Sequence, residues 1–187
     1  MAKRFFRLMD DVYVPNRWHL TMPRDAQGQK LDDWQFRRGT PVSIQGRLTF
    51  PVEVAGRSLD FTEAGLGAPV VHVRVASIFA ELAPDDVQII PVDVEGQPDQ
   101  YLLLVATRLI RCIDEAASRI RLWTHEDGLP DMVGQYASVR DLRIDRAKVG
   151  DAKVLRPEGW DVTLVVSEDI KDALERIGAT GAKFEEV

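Results

Sequence analysis

With 187 residues, 45% of them hydrophobic and 29% charged, the chain has an ordinary globular composition and enough length to bury a core without disulfides or metals. A formal charge of −6 disfavours nucleic acid and anionic membranes as partners, and favours encounter with a basic protein. The single cysteine, Cys112, excludes an internal disulfide, and no stretch reaches the roughly 18 apolar residues of a membrane helix.

The basic, apolar start ends at Asp10-Asp11, too early for a secretory leader, so the expected location is cytoplasmic. Phe5–Met9 reads as a strand, Val12–Val14 and Trp18–Leu20 as short extended segments around the Pro15-Asn16 turn, and Met22–Lys30 as a loop. Leu48–Phe50 and Val52–Val54 read as an edge strand interrupted by Pro51, which has no N–H to give a central ladder. Leu59–Phe61 returns with period two. Nothing in the first 60-odd residues predicts a helix.

After the break at Leu66–Pro69 the period changes. Val71, Val75, Ile78, Phe79 and Leu82 share one helical face, predicting a helix near 73–82 that ends before Pro84. Val87–Asp114 then carries the densest apolar run, broken once by Glu95–Asp99, as in a β-hairpin with a long loop. A phase slip beside Pro91 predicts a bulge or an edge position. Tyr101–Ala106 is apolar throughout, as in a strand buried on both faces, although Leu102, Val105, Ala106, Leu109, Ile110 and Ile113 also fit a helix. The β-branched first arm needs a partner, which favours the strand.

Ile120–Trp123 alternates, 125–134 is loop-like, and strands are expected near Leu142–Asp145, at Val154–Arg156 and through the alternation from Trp160 to Val166. A last helix over 168–177 has Ser167 as N-cap, Glu168 and Asp169 at the positive end of its dipole, and Gly178 as terminator. Phe184 is expected to dock on the core. The fold class is α+β: mostly antiparallel sheet, about two short helices, and a strand-rich N-terminal part. The whole chain is expected to form one domain, with residues 1–68 as a subdomain beside a main α+β part, 69–187.

No catalytic motif stands out. His19, His72 and His125 lack metal-ligand spacing, and no GxSxG, P-loop or GxGxxG is present, so no catalytic, cofactor or metal residue is assigned. Cys112 lies in an apolar run, where a thiol is more often inert core than nucleophile. The tryptophans at 18, 34, 123 and 160 read as core or interface anchors. Paired acids in loops are ordinarily just solvated; as a docking surface the candidates are Asp32, Asp33, Asp85, Asp86, Glu126 and Asp127.

Two segments carry a resemblance. Val87–Asp114, with Ile-Pro-Val, Tyr-Leu-Leu-Leu-Val and Cys-Ile-Asp, precedes Val154–Val187, with Leu-Arg-Pro, Val-Val-Ser-Glu-Asp-Ile-Lys-Asp-Ala-Leu and Gly-Ala-Lys-Phe-Glu-Glu-Val. In this order they resemble a family of bacterial immunity proteins from polymorphic toxin systems; Trp18–Leu20, Phe36 before Gly39-Thr40-Pro41, and Pro69–Leu82 agree more loosely. The resemblance implies a non-enzymatic protein that binds and neutralises a cognate toxin, commonly a nuclease, encoded by a neighbouring gene. It transfers no site residue and leaves a homo-oligomer open. A regulatory or scaffold module, or a small enzyme with a non-standard Cys/His site, is the alternative.

Overall fold

The computed structural model describes residues 3–187. In chain order the strands of the first half are β1 (Phe5–Asp10), β2 (His19–Leu20), β3 (Thr49–Phe50), β4 (Val52–Val54), β5 (Phe61–Ala64), β6 (Ala68–His72), β7 (Val87–Val94) and β8 (Tyr101–Ala106). The second half adds β9 (Leu109–Ile110), β10 (Arg119–Leu122), β11 (Tyr136–Arg140), β12 (Val154–Pro157), β13 (Leu164–Ser167) and β14 (Ala182–Glu186). The helices are α1 (Val73–Leu82), α2 (Arg146–Val149) and α3 (Glu168–Arg176). The α+β class is as the sequence implies.

Two five-stranded sheets dominate. One runs β14-β1-β13-β12-β9 and the other β3-β7-β8-β6-β5; β10-β11 and β2-β4 form small ribbons. Pairing is antiparallel except at β9–β12 and β3–β7.

Side-chain alternation divides the interior into three layers. In β8, Leu102, Leu104 and Ala106 enter the central core, while Tyr101, Leu103 and Val105 enter a second core under the N-terminal segment. β13 divides likewise: Leu164 and Val166 face the central core, and Val165 faces a third core with Cys112, Leu142 and Val149. β8 is therefore apolar throughout and β13 at every position but its last, Ser167, because a period of two cannot show when both faces are covered. Helices α1 and α3 pack on each other and fill the central core with Val75, Phe79, Ile170 and Leu174.

The structure resolves the ambiguity at Tyr101–Ala106 as a strand, paired with β7 from Val87↔Ala106 to Val92↔Tyr101. Register runs unbroken through Pro91, so of the two expected alternatives the bulge is absent. Pro91 is instead an edge residue, since β3 pairs β7 only at Asp93 and Val94. Pro51 marks a switch between sheets: β3 joins β7, and β4 joins β2.

Other expectations need correction. The first 60 residues do contain a helical turn, a 3-10 helix over Asp33–Arg37 capped by the Asp32 side chain on the Trp34 N–H. One turn is too short to leave a periodic signature. Val71 belongs to β6, and α1 starts two residues later, capped by His72. The strand near Leu142–Asp145 is reduced to an isolated bridge, Ile113↔Ile144; the ladder forms earlier, in β11. The alternation from Trp160 is a strand only from Leu164, since the Trp160 N–H closes a turn on the Pro157 carbonyl. Ser167 occupies the N-cap position of α3, but its hydroxyl is buried without a partner and caps nothing.

Candidate interaction surface

The six loop acids divide by burial. Asp33 is fully buried and its Oδ2 accepts from the Leu66 N–H at 2.5 Å. Asp86 is also buried: Oδ2 accepts from the Lys153 and Val154 N–H groups at 2.7 and 3.2 Å, and Oδ1 from Arg108 at 3.2 Å. Asp127 is exposed but occupied within its own loop, accepting from the Thr124 N–H and hydroxyl and from Arg121. Those hydrogen bonds, the Thr124 backbone first, hold its carboxyl below the usual range. Asp32, Asp85 and Glu126 are exposed as well; of these, Asp32 spends one oxygen as a helix cap.

Chemically tempting side chains are placed for structure. Cys112 is fully buried in the third core, and burial pushes its thiol up to about 11, far from the thiolate that nucleophilic attack requires. His72 caps α1 through Nδ1, which accepts from the Arg74 N–H at 3.3 Å, while His19 sits exposed in β2 and His125 opens a surface turn. Among the described residues no group of three or more His, Cys, Asp or Glu side chains is disposed to hold a metal, and no helix is long and apolar enough to cross a membrane.

Two surface features have the makings of contact sites. One is a recess of about 420 Å³ bordered by Arg111, Asp114, Glu115, Tyr136, Asp145 and Lys148, where the β10-β11 ribbon meets the third core. Here the Tyr136 hydroxyl donates to Glu115 at 2.5 Å, and burial together with that carboxylate pushes the phenol up to about 12. The recess is strongly polar and its charges are mixed in sign.

The other feature surrounds the helical turn Asp33–Arg37. Trp34 is 52% exposed, with the Arg37 guanidinium carbon 4.8 Å from its ring centre. Leu66, also 52% exposed, is held from both sides of Trp34: its N–H donates to Asp33, and its carbonyl accepts from Arg37 Nη1 at 2.7 Å. Gly39, two residues past Arg37, lies against the exposed Leu109, so close that a side chain there would meet Leu109 Cβ at 2.9 Å. Three sequence-distant segments thus meet at the stretch Asp33–Gly39: it carries the exposed Trp34, Leu66 is bonded to its Asp33 and Arg37, and Leu109 lies against its Gly39. Trp34 was legible as an anchor. Leu66 and Leu109 were not, because the first sits in a glycine-flanked break and the second in a run that reads as core.

The chain matches the immunity protein family Imm11 over residues 9–187, nearly its full length. It belongs to that immunity protein family. No curated protein matches it. Membership makes toxin neutralisation the coarse function of this Imm11 protein and a toxin its implied partner. The two segments that carried the resemblance turn out to be the β7–β8 hairpin with its continuation through β9, and the β12–β13–α3–β14 unit. Both are pieces of framework, which is why they label the family without marking a surface.

Proposed function

We propose that this Imm11 protein is a non-enzymatic, cytoplasmic inhibitor that binds a cognate toxin encoded by a neighbouring gene, with a nuclease as the expected class of toxin. The observation that carries this reading is the family match across residues 9–187. The buried, protonated Cys112 supports it by removing the one candidate nucleophile from solvent and from reactivity at neutral pH. The net charge of −6 supports it further, since an acidic inhibitor is drawn toward the basic substrate groove of a nuclease.

Neutralisation is tested by co-expression with the adjacent gene's product. The pair should form a complex that survives size-exclusion chromatography, and cells should survive a dose of that product that otherwise kills them. Lack of binding, or an adjacent product without toxicity, removes the reading. Of the six acids, Asp32, Asp85, Glu126 and Asp127 reach solvent; Asp127 is tied up by Thr124 and Arg121, which leaves Asp32, Asp85 and Glu126 to steer a basic toxin. Reversing all three to Lys should slow association at low ionic strength by about tenfold, with a much smaller effect in high salt. Stopped-flow association rates measured across a salt series check it; an unchanged low-salt rate removes these residues from the docking face.

A further inference from the structure

We infer that the toxin's contact centres on the Trp34–Leu66–Leu109 face, which takes an apolar toxin segment carrying a carboxylate placed for Arg37 and Arg38. The inference rests on the proposed immunity function and adds the place of contact and the chemistry of the partner. Three observations converge on it.

Large apolar side chains are concentrated where nothing in this chain covers them. Trp34, Leu66 and Leu109 are 52%, 52% and 42% exposed, and they are tied to the single stretch Asp33–Gly39 by the contacts of Asp33, Arg37 and Gly39. Exposed apolar groups gathered from separate segments mark an interaction site more often than chance decoration, and tryptophan and arginine dominate binding energy at such sites.

Unusual polar groups lie beneath this face. Asp33 Oδ1 and Arg37 Nε are both buried without a hydrogen-bond partner, one on each side of Trp34 in the chain. Burying polar atoms unpaired is costly, and here two such atoms flank one exposed tryptophan. The hydrogen bonds that Asp33 and Arg37 do make go to the backbone of Leu66. Their evident effect is to fix Leu66 beside Trp34, so that a rigid apolar pair is presented in advance of binding.

Charge then selects the occupant. Neither Arg37 nor Arg38 forms an ion pair among the described residues: Arg37 stacks on Trp34 and donates to a carbonyl, while Arg38 is exposed. A guanidinium held 4.8 Å from an indole centre, beside apolar surface, is poorly hydrated and ready to bind a carboxylate. An apolar segment with one acidic side chain satisfies both the hydrophobic and the cationic halves of the face. Asp85 and Glu126, with Asp32 at the cap of this same turn, set the long-range field, while Arg37 and Arg38 set the local fit.

The test uses the full-length protein and a catalytically inactive form of the adjacent gene's product, followed by titration calorimetry. Trp34→Ala and Leu109→Ala should each weaken binding about 30-fold or more, as expected of hot-spot residues. Tyr13→Ala, at a 79% exposed aromatic outside this face, should leave affinity unchanged. Arg38→Glu should weaken binding about tenfold and Arg38→Lys should stay close to wild type, because only the charge is being read. Arg38 is exposed, so its variants stay informative even where Trp34→Ala disturbs the fold. Tighter binding by Arg38→Glu would show that the facing toxin surface is basic and overturn the inference, as would undiminished binding by the Trp34 and Leu109 variants. If the unaltered protein forms no complex at all, the immunity reading falls and this inference falls with it.

Discussion

Gly181, just before β14, has φ +86, a conformation that L side chains rarely adopt, and a Cβ there would collide with the Phe61 carbonyl oxygen. That carbonyl belongs to β5, so the glycine lets the start of β14 pass directly over the end of the opposite sheet. Gly181→Ala therefore combines a strained backbone with a steric clash against another backbone, and should destabilise the protein by about 2–4 kcal/mol. A chemical-denaturation midpoint indistinguishable from wild type would refute this. Asp86 makes a different residue-scale case. Its carboxylate joins the end of α1 to the start of β12 through two N–H groups and to Arg108, all while 5% exposed. Asp86→Ala leaves two backbone donors without their acceptor and takes from Arg108 one of its two carboxylate partners, Asp151 being the other, and should cost about 3 kcal/mol, measured in the same way. Asp86→Asn keeps one acceptor oxygen and should cost less. Its position next to exposed Asp85 shows why adjacent acids in sequence say little about surface: neighbouring side chains point apart, and one of them can serve the interior.

Between elements, Asp60 ties three together. It precedes β5, receives two hydrogen bonds from Arg74 in the first turn of α1 at 2.9 and 2.8 Å, and accepts from both the N–H and the hydroxyl of Thr180 between α3 and β14. Burial opposes its ionisation, but the Arg74 and Thr180 bonds overcome that and hold the carboxyl below the usual range. A carboxyl lowered in the folded state contributes stability that is fully present above its unfolded pKa of about 4 and is lost as pH falls through the folded value. Asp60→Asn should therefore be less stable than wild type at pH 7, with the gap narrowing in acid; urea midpoints from pH 7 down to pH 2 check it. At this scale the sequence was informative wherever one face of an element stayed polar, as in α1 and α3, or wherever both faces were buried, as in β8. It misled where a short extended segment could pair or not. Leu142–Asp145 looks like a strand but makes only one bridge, and Ala182–Glu186 is a full strand although its Lys-Phe-Glu-Glu sequence carries little apolar content. Pairing in β14 comes from its long-range partner β1, which no local pattern reports. The Trp34 face was illegible for the same reason, being assembled from contacts more than 25 residues apart.

At the scale of the whole molecule, the N-terminal segment is threaded through both sheets. β1 lies between β14 and β13, β3 and β5 form the two edges of the other sheet, and Trp18, Leu20, Phe36 and Phe50 cover the outer face of β8. Residues 1–68 therefore supply three strands and a core layer to residues 69–187, and a chain built this way should fold as one cooperative unit over 1–187. Removing residues 1–68 would strip β13 of its β1 ladder, leave β14 without a partner, and expose Tyr101, Leu103 and Val105 to water. Each of those losses alone exceeds what a domain of marginal stability can absorb. The 69–187 fragment is expected to give a poorly dispersed amide NMR spectrum. The full chain should unfold in one step, with tryptophan fluorescence and far-UV circular dichroism superimposing across the transition. A well-dispersed fragment spectrum, or two resolved transitions in the intact chain, would mean that the N-terminal part is a separable subdomain after all. The outcome bears on inhibition as well, because the Trp34 face is built from both parts: Trp34 and Arg37 from the first, Leu109 from the second. In a single cooperative unit the face is preformed before the toxin arrives, and toxin binding should raise the unfolding temperature of the entire transition.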